Sequence, residues 1–306
     1  MKGNVPVETW AAWRKDEAAR LLSSSGGLAT IISEHWIRNG GVVYGAAFQK
    51  PFVFKHVRCE KEEELYQLRG SKYVQSSLDG VHQLITEDLN GGKEVLFIGT
   101  PCQVAGIRNR FRESLKQLYT IDIICHGTPA AQILKDSLPE DALRKEFDYV
   151  EFRRGEKFQL VFRKGNRVIW DRPLAHDLYL KGFFKGVFYR EACYKCKFAS
   201  IERCSDMTLG DFWGVDMNAL NTEMDKGISL VLINTDKGKT LMASVSEDIE
   251  KVSRPLGEAV AGNHQLRHPM PLTWRHKIFS VLYPRMGFKW AAIASMPDIV
   301  LKNLFK

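Results

Sequence analysis

Between residues 42 and 137, apolar strand-like runs alternate with helical stretches, and this alternation constrains the chain more than any other feature. VVYGAAF (42–48) is β-branched and aromatic between glycines, and VFKHVRC (53–59) alternates. EVLFIGT (94–100) and LYTIDIIC (118–125) are apolar almost throughout, as strands of a parallel sheet covered on both faces are. LATIISEHWIRNG, residues 77–90, PCQVAGIRNRF and TPAAQILKDSL carry helical spacing, and KEEELYQLRG reads as a short helix closing on Gly70. The pattern predicts an α/β fold, a mostly parallel sheet with flanking helices. VEFRRG, FQLVFRKG and RVIWDRP then alternate between turns and read as short antiparallel strands, while 227–253 returns to α/β character. The expected parts are a peripheral segment 1–22, an α/β part 23–140, a cysteine-bearing part 141–262 and a basic helical tail 263–306. The less regular cysteine-bearing insertion is expected near 150–225.

Several function classes fall away on composition. No apolar run approaches the ~18–20 residues of a membrane span. The first 20 residues place no apolar stretch behind a basic end, so they do not form a secretory signal. A cytoplasmic protein is expected, and six cysteines there read as ligands, nucleophiles or buried apolar residues rather than disulfides. The formal charge is +8, but residues 264–306 hold seven Lys/Arg against Asp298 alone, so +6 of it sits in the tail. A near-neutral body argues against nucleic-acid binding. The tail segment 272–289 mixes aromatics with cations, as in a membrane-surface or acidic-partner contact, or as helices packed with their cations in water.

The cysteines carry the clearest chemistry. Cys193-Tyr194-Lys195-Cys196 has the C-x-x-C spacing with which two thiolates grip one metal or one cluster edge. Cys102 follows the strand 94–100 and Cys125 ends the strand 118–125. Open α/β sheets bind ligands beyond the carboxyl ends of their strands, so both should share one rim. Four soft ligands suit zinc or an iron–sulfur cluster. Spacing alone leaves a second reading open, with Cys102 and Cys125 buried and the C-x-x-C in a zinc ribbon with Cys204.

Two loops suit phosphate or nucleotide. Ser25-Gly26-Gly27 leads into a helix whose first N–H groups are free, with Ser25 as the expected N-cap. Arg69-Gly70-Ser71-Lys72-Tyr73 combines a flexible glycine, a hydroxyl, a cation and an aromatic ring. Gly210-Asp211-Phe212-Trp213-Gly214 reads as a core turn.

Six motifs occur in order: S-S-G-G (24–27), G-S-K-Y-V-Q-S (70–76), G-T-P-C-Q-V-A-G (99–106), D-I-I-C-H-G-T-P (122–129), C-Y-K-C-K-F-A (193–199) and D-M-T-L-G-D-F-W-G (206–214). The string resembles the coenzyme F420 hydrogenase/dehydrogenase beta subunit family, nearest its bacterial branch associated with polysaccharide biosynthesis. The resemblance implies a flavin- and iron–sulfur-dependent oxidoreductase that exchanges single electrons with a ferredoxin-like carrier and two with an acceptor or small-molecule substrate. It makes Cys102, Cys125, Cys193 and Cys196 the [4Fe–4S] ligands, with Cys204 the alternative. Ser25, Gly26, Gly27, Gly70, Ser71, Lys72, Tyr73, Thr100 and Gln103 are then the residues around FAD, with FMN the alternative. Lys72 would stabilise negative charge on the reduced ring, Tyr73 would stack on or border it, and His126 would donate a hydrogen bond or a proton. Cys59 matches no motif and reads as a strand residue. No cysteine precedes Cys59, so a ferredoxin-like N-terminal segment is not expected. A non-catalytic partner of a polysaccharide pyruvyl- or glycosyltransferase is the competing expectation.

Overall fold

A computed structural model describes residues 3–154 and 157–298. Its strands are β1 (Glu8–Arg14), β2 (Val42–Gln49), β3 (Val53–Cys59), β4 (Val95–Gly99), β5 (Leu118–Ile123), β6 (Tyr149–Arg154), β7 (Lys157–Lys164), β8 (Arg167–Pro173), β9 (Met207–Asp211), β10 (Ser229–Ile233) and β11 (Ile249–Ser253). Eight form one sheet in the order β11-β1-β10-β9-β5-β4-β2-β3, and β6-β7-β8 form a small antiparallel sheet. In the large sheet β1, β2, β4, β5 and β9 run one way and β3, β10 and β11 the other. The uninterrupted parallel block is β2-β4-β5-β9, of which the apolar runs predicted β2, β4 and β5.

Side-chain alternation builds the layers. Leu96 points to one face of the sheet, where Ile31, Ile32 and Trp36 of helix Leu28–Arg38 cover it. Val95 and Phe97 point to the other, under Ile85 of helix Val81–Asn90 and Val104 and Ile107 of helix Pro101–Arg110. Phe152, Leu160 and Phe162 of the small sheet form a separate aromatic core with Tyr179, Phe188, Phe279 and Phe288. The last two come from the terminal segment Trp274–Ser295, two helices folded back on each other at Gly287, so that Arg275 Nη1 reaches the Ser295 carbonyl at 3.0 Å.

Two expectations about layout change. The segment 1–22 is not peripheral: β1 lies inside the sheet between β10 and β11, with Trp10 opposite Val231 and Ser253. Alternation decides it, since Ala12 faces one layer while Ala11 and Trp13 face the other. The expected boundary near residue 140 falls within one sheet, because β9, β10 and β11 join strands from before it. What stands out from the sheet is the chain between Ile123 and Met207, which holds the small sheet and the C-x-x-C. No helix of the described residues is long and apolar enough to cross a membrane.

Candidate redox site

The site begins at the carboxyl ends of β4 and β5, which finish level, with Gly99 beside Asp122. At the first, Thr100 caps helix Pro101–Arg110: Gln103 Oε1 accepts from Thr100 N at 3.0 Å and from its hydroxyl at 2.9 Å. At the second helical position, Cys102 is exposed, its Sγ 3.2 Å from Thr100 Oγ1. At the second, Cys125 lies two residues past β5, and Gly127 turns the chain away at φ +131°. A Cβ on Gly127 would lie 2.4 Å from the Tyr189 ring, so the turn passes flat across that ring.

The C-x-x-C arrives on helix Glu191–Tyr194, half-burying Cys193 and Cys196. Burial pushes the Cys125 thiol up to about 12, a Gly127 N–H opposes this, and charge on Cys102, Cys193 and Cys196 adds to it. Burial also raises Cys196, a Phe198 N–H opposes it, and Cys102 and Cys193 add to it. Cys125 therefore lies within electrostatic reach of the other three. Among the described residues, no three Cys, His, Asp or Glu side chains converge on a point that would hold a single metal ion.

Cys204 stands apart from this mutual set. Its Sγ is 3.5 Å from the Pro101 carbonyl, and burial raises its thiol to about 11, with Asp122 rather than a cysteine as the next cause. It still shares with Cys102 a cavity of about 440 Å³ that Gly106, Asn109, Lys197 and Phe198 also line. Cys59 is buried at the end of β3, as a strand residue is.

Arg203 ties the loop after the C-x-x-C to the sheet. Its guanidinium donates to Asp122 Oδ1 at 2.8 Å and to the carbonyls of Phe198 at 3.1 Å and Ser200 at 3.2 Å. His126 follows Cys125 and meets His264 edge-on at 5.8 Å between centroids. Burial, then the His264 charge, pushes it down to about 4, so it is neutral at pH 7.

The two loops read for a flavin do meet: Ser71 N donates to Ser24 Oγ at 2.8 Å. Their details differ from expectation. Gly27, at φ +86°, caps helix Leu28–Arg38, because that left-handed turn delays the helix until Leu28. Ser25 is not the cap; its hydroxyl donates to the Ile228 carbonyl at 2.9 Å. Gly26 is wedged between strands, where a Cβ would lie 2.4 Å from the Ala12 carbonyl and 2.8 Å from Ser229 N. Gly70 turns at φ +76°, and a Cβ there would meet only the Tyr149 hydroxyl, at 3.2 Å. Lys72 Nζ donates to the carbonyls of Arg69 at 2.7 Å and Gln67 at 3.0 Å, and burial lowers it to about 7. Tyr73 stacks on Phe183 at 4.5 Å within the aromatic cluster that Cys193 also touches.

Two polar networks were missed in the sequence. Gln103 Nε2 donates to the Ser76 carbonyl at 3.0 Å, and Ser76 Oγ lies 3.1 Å from His56 Nδ1. His56 stacks on Phe97, its Nε2 is 3.0 Å from the Ile98 carbonyl, and burial pushes it down to about 4. Neutral His56 therefore donates from Nε2 and accepts at Nδ1. The one available signal was parity: His56 shares the inward register of Phe54 on β3. In the second network Arg153 donates to Asp211 at 2.5 Å and lies over the rings of Phe158 at 4.9 Å and Trp213 at 5.5 Å. The turn at 210–214 is thus more than core packing.

The mixed α/β sheet thus carries Cys102 and Cys125 just past the carboxyl ends of two neighbouring parallel strands. The chain belongs to the coenzyme F420 hydrogenase/dehydrogenase beta subunit family: residues 92–255 match the C terminus of that beta subunit. This span runs from before β4 to just past β11, taking in all four cysteines but neither the 24–27 nor the 70–73 loop. Among solved structures, a chain from a xenon derivative of the F420-reducing [NiFe] hydrogenase complex of Methanosarcina barkeri shares the fold. Its TM-score is 0.58 at 20% identity, over 87% of each chain. No protein of curated function matches the sequence.

Proposed function

We propose that the chain is a [4Fe–4S]- and flavin-dependent oxidoreductase that exchanges electrons between a ferredoxin-like carrier and a two-electron acceptor or substrate. The observation that carries this reading is that Cys102 and Cys125 follow neighbouring parallel strands at one rim, with Cys193 and Cys196 within electrostatic reach of Cys125. Cys125 and Cys196, raised by burial and by their cysteine neighbours, are unfavourable as thiolates unless a cation compensates them, and metal binding requires them deprotonated.

When bound, a cluster supplies single-electron transfer and a flavin supplies the two-electron, hydride-equivalent step. The protein's own part is to hold and shield. Arg203 and Asp122 fix the loop behind Cys196, Gly127 lets the Cys125 turn lie on Tyr189, and Tyr189 and Tyr194 exclude water from the Cys193 side. Exposed Lys195 and Lys197 flank Cys196 and suit an acidic carrier.

Toward a flavin the fit is partial. The Ser24–Ser71 contact joins the two loops, and Gly70 has room, but Ser25, Lys72 and Gln103 already use their polar atoms within the protein. FAD at this junction, with FMN the alternative, requires those bonds to be exchanged, and the chemical resemblance of the loops supports it. Lys72, lowered to about 7, can take or release a proton at Nζ near neutral pH. No observation favours the non-catalytic reading, or a link to polysaccharide biosynthesis.

Anaerobic purification with iron, sulfide and flavin measured together tests the proposal. About four iron and four sulfide per chain, a broad band near ~400 nm and bound flavin are expected. A colourless protein holding only zinc would refute it.

A further inference from the structure

The terminal segment Trp274–Ser295 is apolar on two sides. Its inner side packs Phe279, Phe288, Ala291 and Ala292 into the core of the small sheet. Its outer side exposes Trp274 (50%), Val281 (55%), Met286 (51%) and Trp290 (57%), with Leu272 (48%) just before it. A helix on a water-facing surface confines its apolar residues to one stripe. Here residues 274, 277, 281 and 285 follow one another at i, i+3, i+7 and i+11, so Trp274, Lys277, Val281 and Arg285 form a second stripe. At Gly287 the chain reverses, so that Arg275 Nη1 donates to the Ser295 carbonyl at 3.0 Å, and the returning helix exposes Lys289 and Trp290.

The segment's own exposed charges are positive up to Met296. No Asp or Glu occurs from 264 to 297, and the first acid, Asp298, is held by Arg275 at 2.8 Å and Lys185 at 3.8 Å. Asp136, which reaches the helix from elsewhere, accepts from the Tyr283 hydroxyl at 2.6 Å. Lys277, Arg285 and Lys289 thus stand among exposed tryptophans and aliphatics.

We propose that this face docks on an anionic phospholipid surface, the helical hairpin lying in the plane of the headgroups with Trp274, Val281, Met286 and Trp290 inserted and the three cations above them. Protein–protein interfaces deplete lysine relative to other surface. Interfacial helices combine lysine and arginine with tryptophan, whose amphipathic ring sits at headgroup level. The interleaving of two tryptophans with two lysines among the exposed residues of the hairpin fits the second setting. The inference does not depend on the redox reading.

The test is co-sedimentation of the full chain with vesicles of phosphatidylcholine alone, or of equal phosphatidylcholine and phosphatidylglycerol. Binding to the anionic vesicles only is expected, with release when salt is raised to about 0.5 M. Each cation contributes about a fivefold factor near such a surface, so Lys277→Gln/Lys289→Gln should bind about 25-fold more weakly. Trp274→Gln/Trp290→Gln should lose binding by at least about tenfold. Both pairs are exposed, so thermal unfolding should be unchanged; should a double variant melt early, single Lys289→Gln and Trp290→Gln give the same comparison. Failure to sediment with anionic vesicles, equal binding to neutral ones, or either variant binding like the parent would overturn the proposal. So would an acidic protein that needs these residues when vesicles do not.

Discussion

Replacing Arg203 with alanine should cost about 3–5 kcal/mol of folding stability, most of it from the charge left behind on Asp122. The two side chains are 2% and 0% exposed and meet at 2.8 Å, so no water can take over the lost hydrogen bond. Asp122 is poorly provided for in any case, since its Oδ2 is buried with no hydrogen-bond partner. The same truncation strips donors from the Phe198 and Ser200 carbonyls and from Thr208 Oγ1. Urea unfolding of the apo protein at pH 7 reads the loss as a fall in midpoint at constant slope. A charge-free pair, Arg203→Met with Asp122→Val, should be less destabilised than Arg203→Ala alone, because it removes the orphaned carboxylate. A cost under about 1 kcal/mol for Arg203→Ala, or a double variant worse than the single, would show that the pair is not what clamps the loop.

Cys193→Ser and Cys196→Ser should each lower bound iron and sulfide sharply after anaerobic reconstitution, whereas Cys204→Ser should keep them; equal loss in all three would return Cys204 to the ligand set. Gly127→Ala should destabilise by about 3 kcal/mol through its positive φ and the Tyr189 ring 2.4 Å away, measured by thermal unfolding. His56, ordinarily near ~6.5 when unfolded, is pushed down to about 4 by burial, so below pH ~6.5 the unfolded chain takes a proton that the folded one refuses. Stability should therefore fall from pH ~6.5 to about 4, and the fall should be shallower in His56→Leu; parallel profiles for the two proteins would rule the histidine out.

What could be read from the sequence follows from how local each cause is. The parallel block was legible because β4 and β5 are apolar on both faces, a property of a few adjacent residues. The rim position of Cys102 and Cys125 was legible because strand ends locate the rim. β1 was not, because Ala11 and Ala12 between two tryptophans have no β-branched residue to mark a strand, and their partners are Leu230 and Ser229. The same distance hid the polar networks: His56 needs Ser76, Gln103 needs Ser76, and Arg153 needs Asp211, 58 residues away. Gly26 gives the sharpest case. Its sequence neighbours suit a phosphate loop, yet its carbonyl accepts from Arg14 N and the missing Cβ makes room for Ala12 and Ser229. A glycine that lets a phosphate approach and a glycine that lets two strands approach are identical in sequence, and only the atom 2.4 Å away distinguishes them.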